Sequence, residues 1–236
     1  MGRAFEYRKA RKLKRWGNMS RMFTKYGREI SIAVKEGGPN PEYNSHLRAI
    51  IQNAKSDNMP KENIDRAIKK ATEKDTADFK EVSFEGYAPH GIAVYVHCAT
   101  DNNTRTVANV RSYFNKYNGS LGVNGSVSFM FDKKCMFVIP DVEQDLEELE
   151  LELIDYGAEE VFKNEDGVQI YGDFSNFGSL QKILEEKGFD ILKADYDYLP
   201  NVELKSLNEE EQADVEKLIE KIEEDDDVVR VFTTMA

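Results

Sequence analysis

The sequence predicts an α+β protein of three domains: an N-terminal α-helical bundle and two α/β-sandwich domains, the third inserted in the second. Three observations carry this. The region to about residue 78 reads as all-helical, strand alternation begins at residue 79, and a complete β-α-β-β-α-β succession lies between residues 134 and 199. A chain of 236 residues has the length for two to three such domains. The expected boundaries are 1–78, then 79–132 together with 205–236, with 133–204 between them.

Arg3–Trp16 comes first. Tyr7, Ala10, Leu13 and Trp16 recur every third residue as a narrow apolar seam, and cations occupy the other sides. Gly17-Asn18 breaks the pattern. Met22, Phe23, Tyr26, Ile30, Ala33 and Val34 then fall at helical spacing until Gly37-Gly38 stops them. Asn40-Pro41 reads as a cap with proline at the first helical position, and Leu47, Ile50, Ile51 and Ala54 line the helix that follows. Pro60 opens another helix, with Ile64, Ala67, Ile68 and Ala71 inward. None of these stripes can be buried by its own helix, so the helices are expected to pack together.

Beyond residue 79, Lys80–Tyr87 and Gly91–Ala99 alternate as strands around an Ala88–Gly91 turn. Residues 103–117 return to helical period, and Ser126–Phe131 reads as a strand. Next come strand Cys135–Ile139, helix Glu143–Tyr156, strands Glu160–Phe162 and Val168–Tyr171, helix Phe177–Lys187 and strand Ile191–Tyr198. That order is ferredoxin-like. The tail adds a strand at Val202–Lys205, a helix from Glu209 to about Glu224 and a strand at Val228–Thr233. These complete a sheet with the strands of 80–132.

Charge separates the same segments. The chain totals −12, a figure that taken alone points away from nucleic acid. Residues 1–78, however, hold 18 Lys and Arg against 10 Asp and Glu, a net of +8; residues 79–132 balance; residues 133–236 hold 10 against 30, a net of −20. A basic end of this kind points to a polyanionic partner. The candidate contacts are Arg3, Arg8, Lys9, Arg11, Lys12, Lys14, Arg15, Arg21, Lys25 and Arg28. Cations neutralise phosphates and release counterions whatever the base sequence. Trp16 could stack on an unpaired base, but its place on the apolar seam favours core packing. Arg105 and Arg111 join the candidates because they follow Asp101-Asn102-Asn103-Thr104 at a strand-to-helix junction. There, capping accounts for the polar residues and not for the arginines.

Other classes lack support. His46, His90 and His97 have no metal-ligand spacing, and His97 belongs to an apolar strand. Asp225-Asp226-Asp227 reads as a solvated acidic turn. There is no phosphate-cradling glycine loop, nucleophile elbow or triad, so the chain is expected to be no enzyme and to need no cofactor; a metal-dependent nuclease using Asp101 and the acidic tail is the minor alternative. Cys98 and Cys135 read as reduced core thiols of a cytoplasmic protein. No apolar run approaches a membrane span and no signal core is present. The acidic 133–204 domain is expected to meet a protein partner or to limit non-specific binding by the basic end.

Several stretches resemble the YebC/PmpR family. They are Asn58-Met59-Pro60-Lys61-Glu62-Asn63-Ile64 with Arg66-Ala67-Ile68, then Glu85-Gly86-Tyr87-Ala88-Pro89-His90-Gly91. The longest runs from Thr100-Asp101-Asn102-Asn103-Thr104-Arg105-Thr106-Val107 through Val110-Arg111 and Phe114 to Leu121-Gly122 and Gly125-Ser126-Val127. The acidic ending Glu223–Val228 is the fourth. The resemblance spans nearly the whole chain. It implies a helical N-terminal domain followed by two α/β domains, and a DNA-binding transcriptional regulator. Relatives that include a mitochondrial translational activator imply, as the alternative, a translation factor on ribosomal or transfer RNA. The chain departs from the family at its start, Met1-Gly2-Arg3-Ala4-Phe5-Glu6-Tyr7 in place of a Gly-His-Ser-Lys-Trp-like segment. It departs again at Asn118-Gly119, where Gly-Gly is usual.

Overall fold

A computed structural model of the chain describes residues 19–73 and 77–236. The helix expected at Arg3–Trp16 lies outside the described residues. The chain divides into two compact units. One takes the described residues of Met1–Ile32 and Lys74–Phe131 with Pro200–Ala236; the other takes those of Ala33–Glu73 with Asp132–Leu199. Sequence alone places residues 33–73 with 1–32 in one helical domain. The three-domain division therefore stands as a proposal beside this grouping.

In the first unit, α1 (Met19–Gly37) contributes its first part, and Tyr26 and Ile30 are buried as their spacing predicts. Strands β1 (Lys80–Tyr87) and β2 (Ala93–Thr100) form an antiparallel hairpin in register Lys80↔Thr100 to Tyr87↔Ala93. The connecting turn places His90 at φ 62° and Gly91 at φ 72°. Helix α2 (Ser45–Ser56) and helix α3 (Lys61–Ala71) belong to the other unit; α4 (Asn103–Lys116) follows β2 here. Strand β3 (Ser120–Leu121) pairs with the end of β1. After the long interruption of residues 132–199, α7 (Glu209–Glu223) and β8 (Val228–Thr233) return, and β8 pairs antiparallel with β2. The sheet order is β3-β1-β2-β8. Helices α4 and α7 cover one face, where Val110, Phe114, Val215, Leu218, Ile219 and Ile222 pack on Val94, Val96, Cys98, Val228 and Val231. Every residue of β2 is buried, as expected of a central strand. Asn208 opens α7 with a reciprocal capping box to Glu211.

Two expected strands of this unit are corrected. Ser126–Phe131 is not a strand: Ser128–Met130 forms a 3-10 turn, and the third strand is the short β3. The reason is Glu85. Its buried carboxylate accepts the backbone N–H groups of Gly125 (2.8 Å), Val127 (2.7 Å) and Ser128 (2.8 Å), which leaves these amides nothing to offer a ladder. Val202–Lys205 is likewise no strand. Only Lys205 makes an isolated parallel bridge, to Met235, while Val202 and Leu204 are exposed.

In the second unit the order is β4 (Phe131–Ile139), α5 (Leu146–Ile154), β5 (Ala158–Asn164), β6 (Gly167–Asp173), α6 (Phe177–Glu186) and β7 (Lys193–Pro200). The sheet order β5-β6-β4-β7 is that of a ferredoxin-like domain, as the βαββαβ pattern predicts. Cys135, Phe137, Ile139, Val161, Val168 and Ile170 face Leu149, Leu153, Leu180 and Leu184 of the two helices. Gly167, at φ 127°, ends the β5–β6 turn where a side chain would meet the Ile139 carbonyl. Helix α2 closes the β7 side of this sheet. Asn53 donates from Nδ2 to the Ala194 carbonyl (2.7 Å) and accepts the Ala194 N–H (3.1 Å), and Ser56 Oγ donates to the Leu192 carbonyl (2.7 Å).

The start of α2 is a further correction. Asn44, not Asn40-Pro41, is the cap, accepting from Leu47 N–H. Asn44 also donates to the Ala33 and Gly38 carbonyls, which fixes the turn after α1, whereas Asn40 accepts from Glu42 N–H inside that turn. Gly38, at φ 85°, stops α1 as its position predicts. No described helix is long and apolar enough to cross a membrane.

Candidate nucleic-acid interface

Seven of the candidate cations, Arg3, Arg8, Lys9, Arg11, Lys12, Lys14 and Arg15, lie outside the described residues. The other five belong to the first unit, on α1 and α4, and the structure places most of them against the acidic turn that follows α7. Helical spacing puts Arg21, Lys25 and Arg28 along one side of α1. Lys25 Nζ donates to the Glu223 carbonyl (3.0 Å). Arg28 Nη1 donates to the carbonyls of Asp226 (2.6 Å) and Ala99 (3.2 Å) and to Asp227 Oδ1, and its guanidinium lies over the Phe79 ring.

Arg105 reaches the same carboxylate from α4. Its Nη2 donates to Asp227 Oδ1 (2.9 Å) and Oδ2 (2.8 Å), its Nε to Oδ2 (3.2 Å), and Nη2 also to Asp101 Oδ1 (2.9 Å). Asn102, not Asp101 or Thr104, caps α4 by accepting the Arg105 N–H. The local sequence therefore splits its work: one side chain starts the helix, and the arginine that capping does not require binds an acidic group 122 residues away. Arg111 stands exposed further along α4.

Asp227 corrects the expectation of a solvated acidic turn. It is 2% exposed and accepts from two arginines and from the Thr106 (2.7 Å) and Thr100 (3.3 Å) hydroxyls. Burial by itself would raise its pKa; the hydrogen bonds of Arg105 and Thr106 and the charge of Arg28 prevail and hold it below the ordinary aspartate value. In turn, the hydrogen bonds that Arg105 donates to Asp227 and Asp101 raise its own pKa. Asp225 is engaged as well: it accepts from Asn109 Nδ2 (3.1 Å), the Tyr113 hydroxyl (2.9 Å) and Asp227 N–H (2.9 Å). Burial first, then this bond and the Asp225 charge, push the Tyr113 phenol up to about 12. Asp226 remains exposed. Around these groups Arg21, Arg28, Phe79, Asp101, Arg105 and Glu224–Asp227 line an open, highly polar pocket.

Sequence reasoning missed Asp227, Asp225 and Glu85. Asp225–Asp227 had no signal beyond its place in an acidic ending that resembles the family's. Glu85 had none beyond its place in the Glu85–Gly91 motif, for it lies on the face of β1 opposite Val82 and Phe84, which pack on the core. The histidines make no cluster. His97 is buried with Nε2 3.5 Å from Glu81, and His90 lies between Glu211 (3.8 Å) and Asp214 (3.5 Å). Among the described residues no group of three or more His, Cys, Asp or Glu side chains is arranged to hold a metal ion.

The fold and this cluster define a mixed α/β protein with two four-stranded antiparallel sheets, whose basic helices meet acidic groups of its own chain. The family follows from comparison. Residues 3–74 match the TACO1/YebC N-terminal domain and residues 79–235 match the TACO1/YebC second and third domain, so the chain belongs to the TACO1/YebC family. Two relatives named probable transcriptional regulatory protein cover all of this chain: one from Flavobacterium psychrophilum, 63% identical over 99% of its own length, and one from Parabacteroides distasonis, 59% identical over 97%. The crystal structure of a conserved hypothetical protein, Aq1575 from Aquifex aeolicus, is similar with a TM-score of 0.78 and 41% identity, covering 92% of this chain and 90% of that one.

Proposed function

We propose that this chain is a non-enzymatic, cytoplasmic nucleic-acid-binding protein that regulates transcription by contacting DNA through its basic N-terminal region. The observation that carries the reading is the concentration of positive charge: a net of +8 in residues 1–78 of a chain whose total is −12. Such a field attracts a phosphate backbone, and counterion release then drives binding without reading bases. The names of the relatives support the regulatory part. Arg3, Arg8, Lys9, Arg11, Lys12, Lys14 and Arg15 supply the first contact, and Arg21, Lys25, Arg28, Arg105 and Arg111 extend it.

Affinity for duplex DNA measured against salt concentration tests this. The logarithm of the binding constant should fall by about 0.9 per phosphate contacted for each decade of salt. Replacing Arg8, Lys9, Arg11 and Lys12 by Ala should flatten the slope by about three to four. Binding that is absent or indifferent to salt refutes the reading. Gradient sedimentation of cell extract with crosslinking separates the targets: recovery of defined promoter fragments supports DNA, and co-migration with ribosomes replaces it with RNA.

A further inference from the structure

The reading above gives Arg28 and Arg105 to phosphate, yet the structure gives them to Asp227. We propose that the acidic turn Glu224–Asp227 is an internal competitor for the nucleic-acid backbone, so that a bound phosphodiester gains Arg28 and Arg105 only when Asp227 releases them. This inference rests on the nucleic-acid reading and adds its regulation.

Three features of the cluster argue for competition over a purely structural clamp. A carboxylate and a phosphate engage a guanidinium through the same paired N–H geometry, so one ligand can take the place of the other without moving the arginine far. The arginines are also reachable. Asp227 is buried and the Arg28 side chain is only 15% exposed, but the Arg105 side chain is 45% exposed, and both arginines line the same open pocket as Arg21, so a phosphate meets Arg105 first. Finally, the competitor stays satisfied in part after release, because the Thr100 and Thr106 hydroxyls remain on Asp227. With the turn in place, Asp101, Glu224, Asp225 and Asp226 stand around the same guanidinium groups and repel a phosphate. Exchange is then favoured by a dense polyanion and not by an isolated anion, which would disfavour weak, scattered contacts.

Asp227→Asn tests the proposal, since the amide keeps a hydrogen-bond acceptor for the threonines and loses the charge. With a duplex of random sequence as probe, the folded variant should bind several-fold more tightly than the parent. Adding Arg28→Ala and Arg105→Ala to D227N should abolish that gain and flatten the salt slope by up to about 1.8, the share of the two phosphate contacts removed. A folded D227N with parent affinity overturns the competition while leaving the nucleic-acid reading intact; failure of both proteins to bind overturns the reading and the competition together. If D227N does not fold, amide exchange in the unaltered chain decides: saturating duplex should speed exchange at residues 225–228, and unchanged or slower exchange overturns the proposal.

Discussion

Glu85 and Asp227 solve the same problem by different means. Each is a carboxylate at a buried position, where an isolated charge would be costly. Glu85 is held by three backbone N–H groups, and Asp227 by two guanidinium groups and two hydroxyls. For both, burial raises the pKa and the bonds prevail, leaving it below the ordinary carboxylate value. A group whose folded pKa is depressed stabilises fully above its unfolded pKa and loses that stabilisation as pH falls through the folded one. Stability should therefore hold above about pH 5 and decline below about pH 4, read as the urea midpoint at a series of pH values, and Glu85→Gln should weaken the decline. Glu85→Ala leaves three N–H groups of one loop unpaired and should cost about 3 kcal/mol in urea denaturation. The sequence showed Glu85 as one letter of a motif. Its role was illegible because its partners are main-chain groups about 40 residues ahead, which carry no residue identity.

Elements were legible where burial alone decides them. The run Gly91–Ala99 read as a strand and forms β2, Ala93–Thr100, whose place inside the sheet is what buries all of it. The stripe of Val215, Leu218, Ile219 and Ile222 defined α7. Elements were misread where a single polar side chain competes with regular structure: Glu85 removes a strand at Ser126–Phe131, and Asn44 moves a helix start from Asn40-Pro41. Asn53 does comparable work on β7. Asn53→Ala should cost about 2 kcal/mol and speed amide exchange at Ala194, because both backbone groups of that residue lose their partner. Phe114, fully buried on α4, sets a larger scale: Phe114→Ala should lower stability by about 3–5 kcal/mol, checked by the same urea series.

At the scale of the whole molecule, the succession of strands and helices in 134–199 was enough to give the sheet order of the second unit, since short crossovers and one hairpin leave few alternatives. The segregation of charge was equally legible. Its folding-back was not: Arg28 and Asp227 are 199 residues apart, and nothing local announces that the basic helix and the acidic ending meet. The whole-chain prediction that follows is electrostatic. High salt should weaken the proposed nucleic-acid binding steeply while changing the urea midpoint little, because the pairs to buried Asp227 are screened far less than exposed charges.

One quiet feature extends this to kinetics. Each unit encloses one thiol, Cys98 in the core with Phe114 and Cys135 in the core with Phe137, and burial is the main cause that raises both pKa values. Thiolate is the reactive form, so alkylating reagents are shut out until a core opens. Timed alkylation followed by peptide mapping would thus give each unit its own clock, reporting which opens first without any added probe.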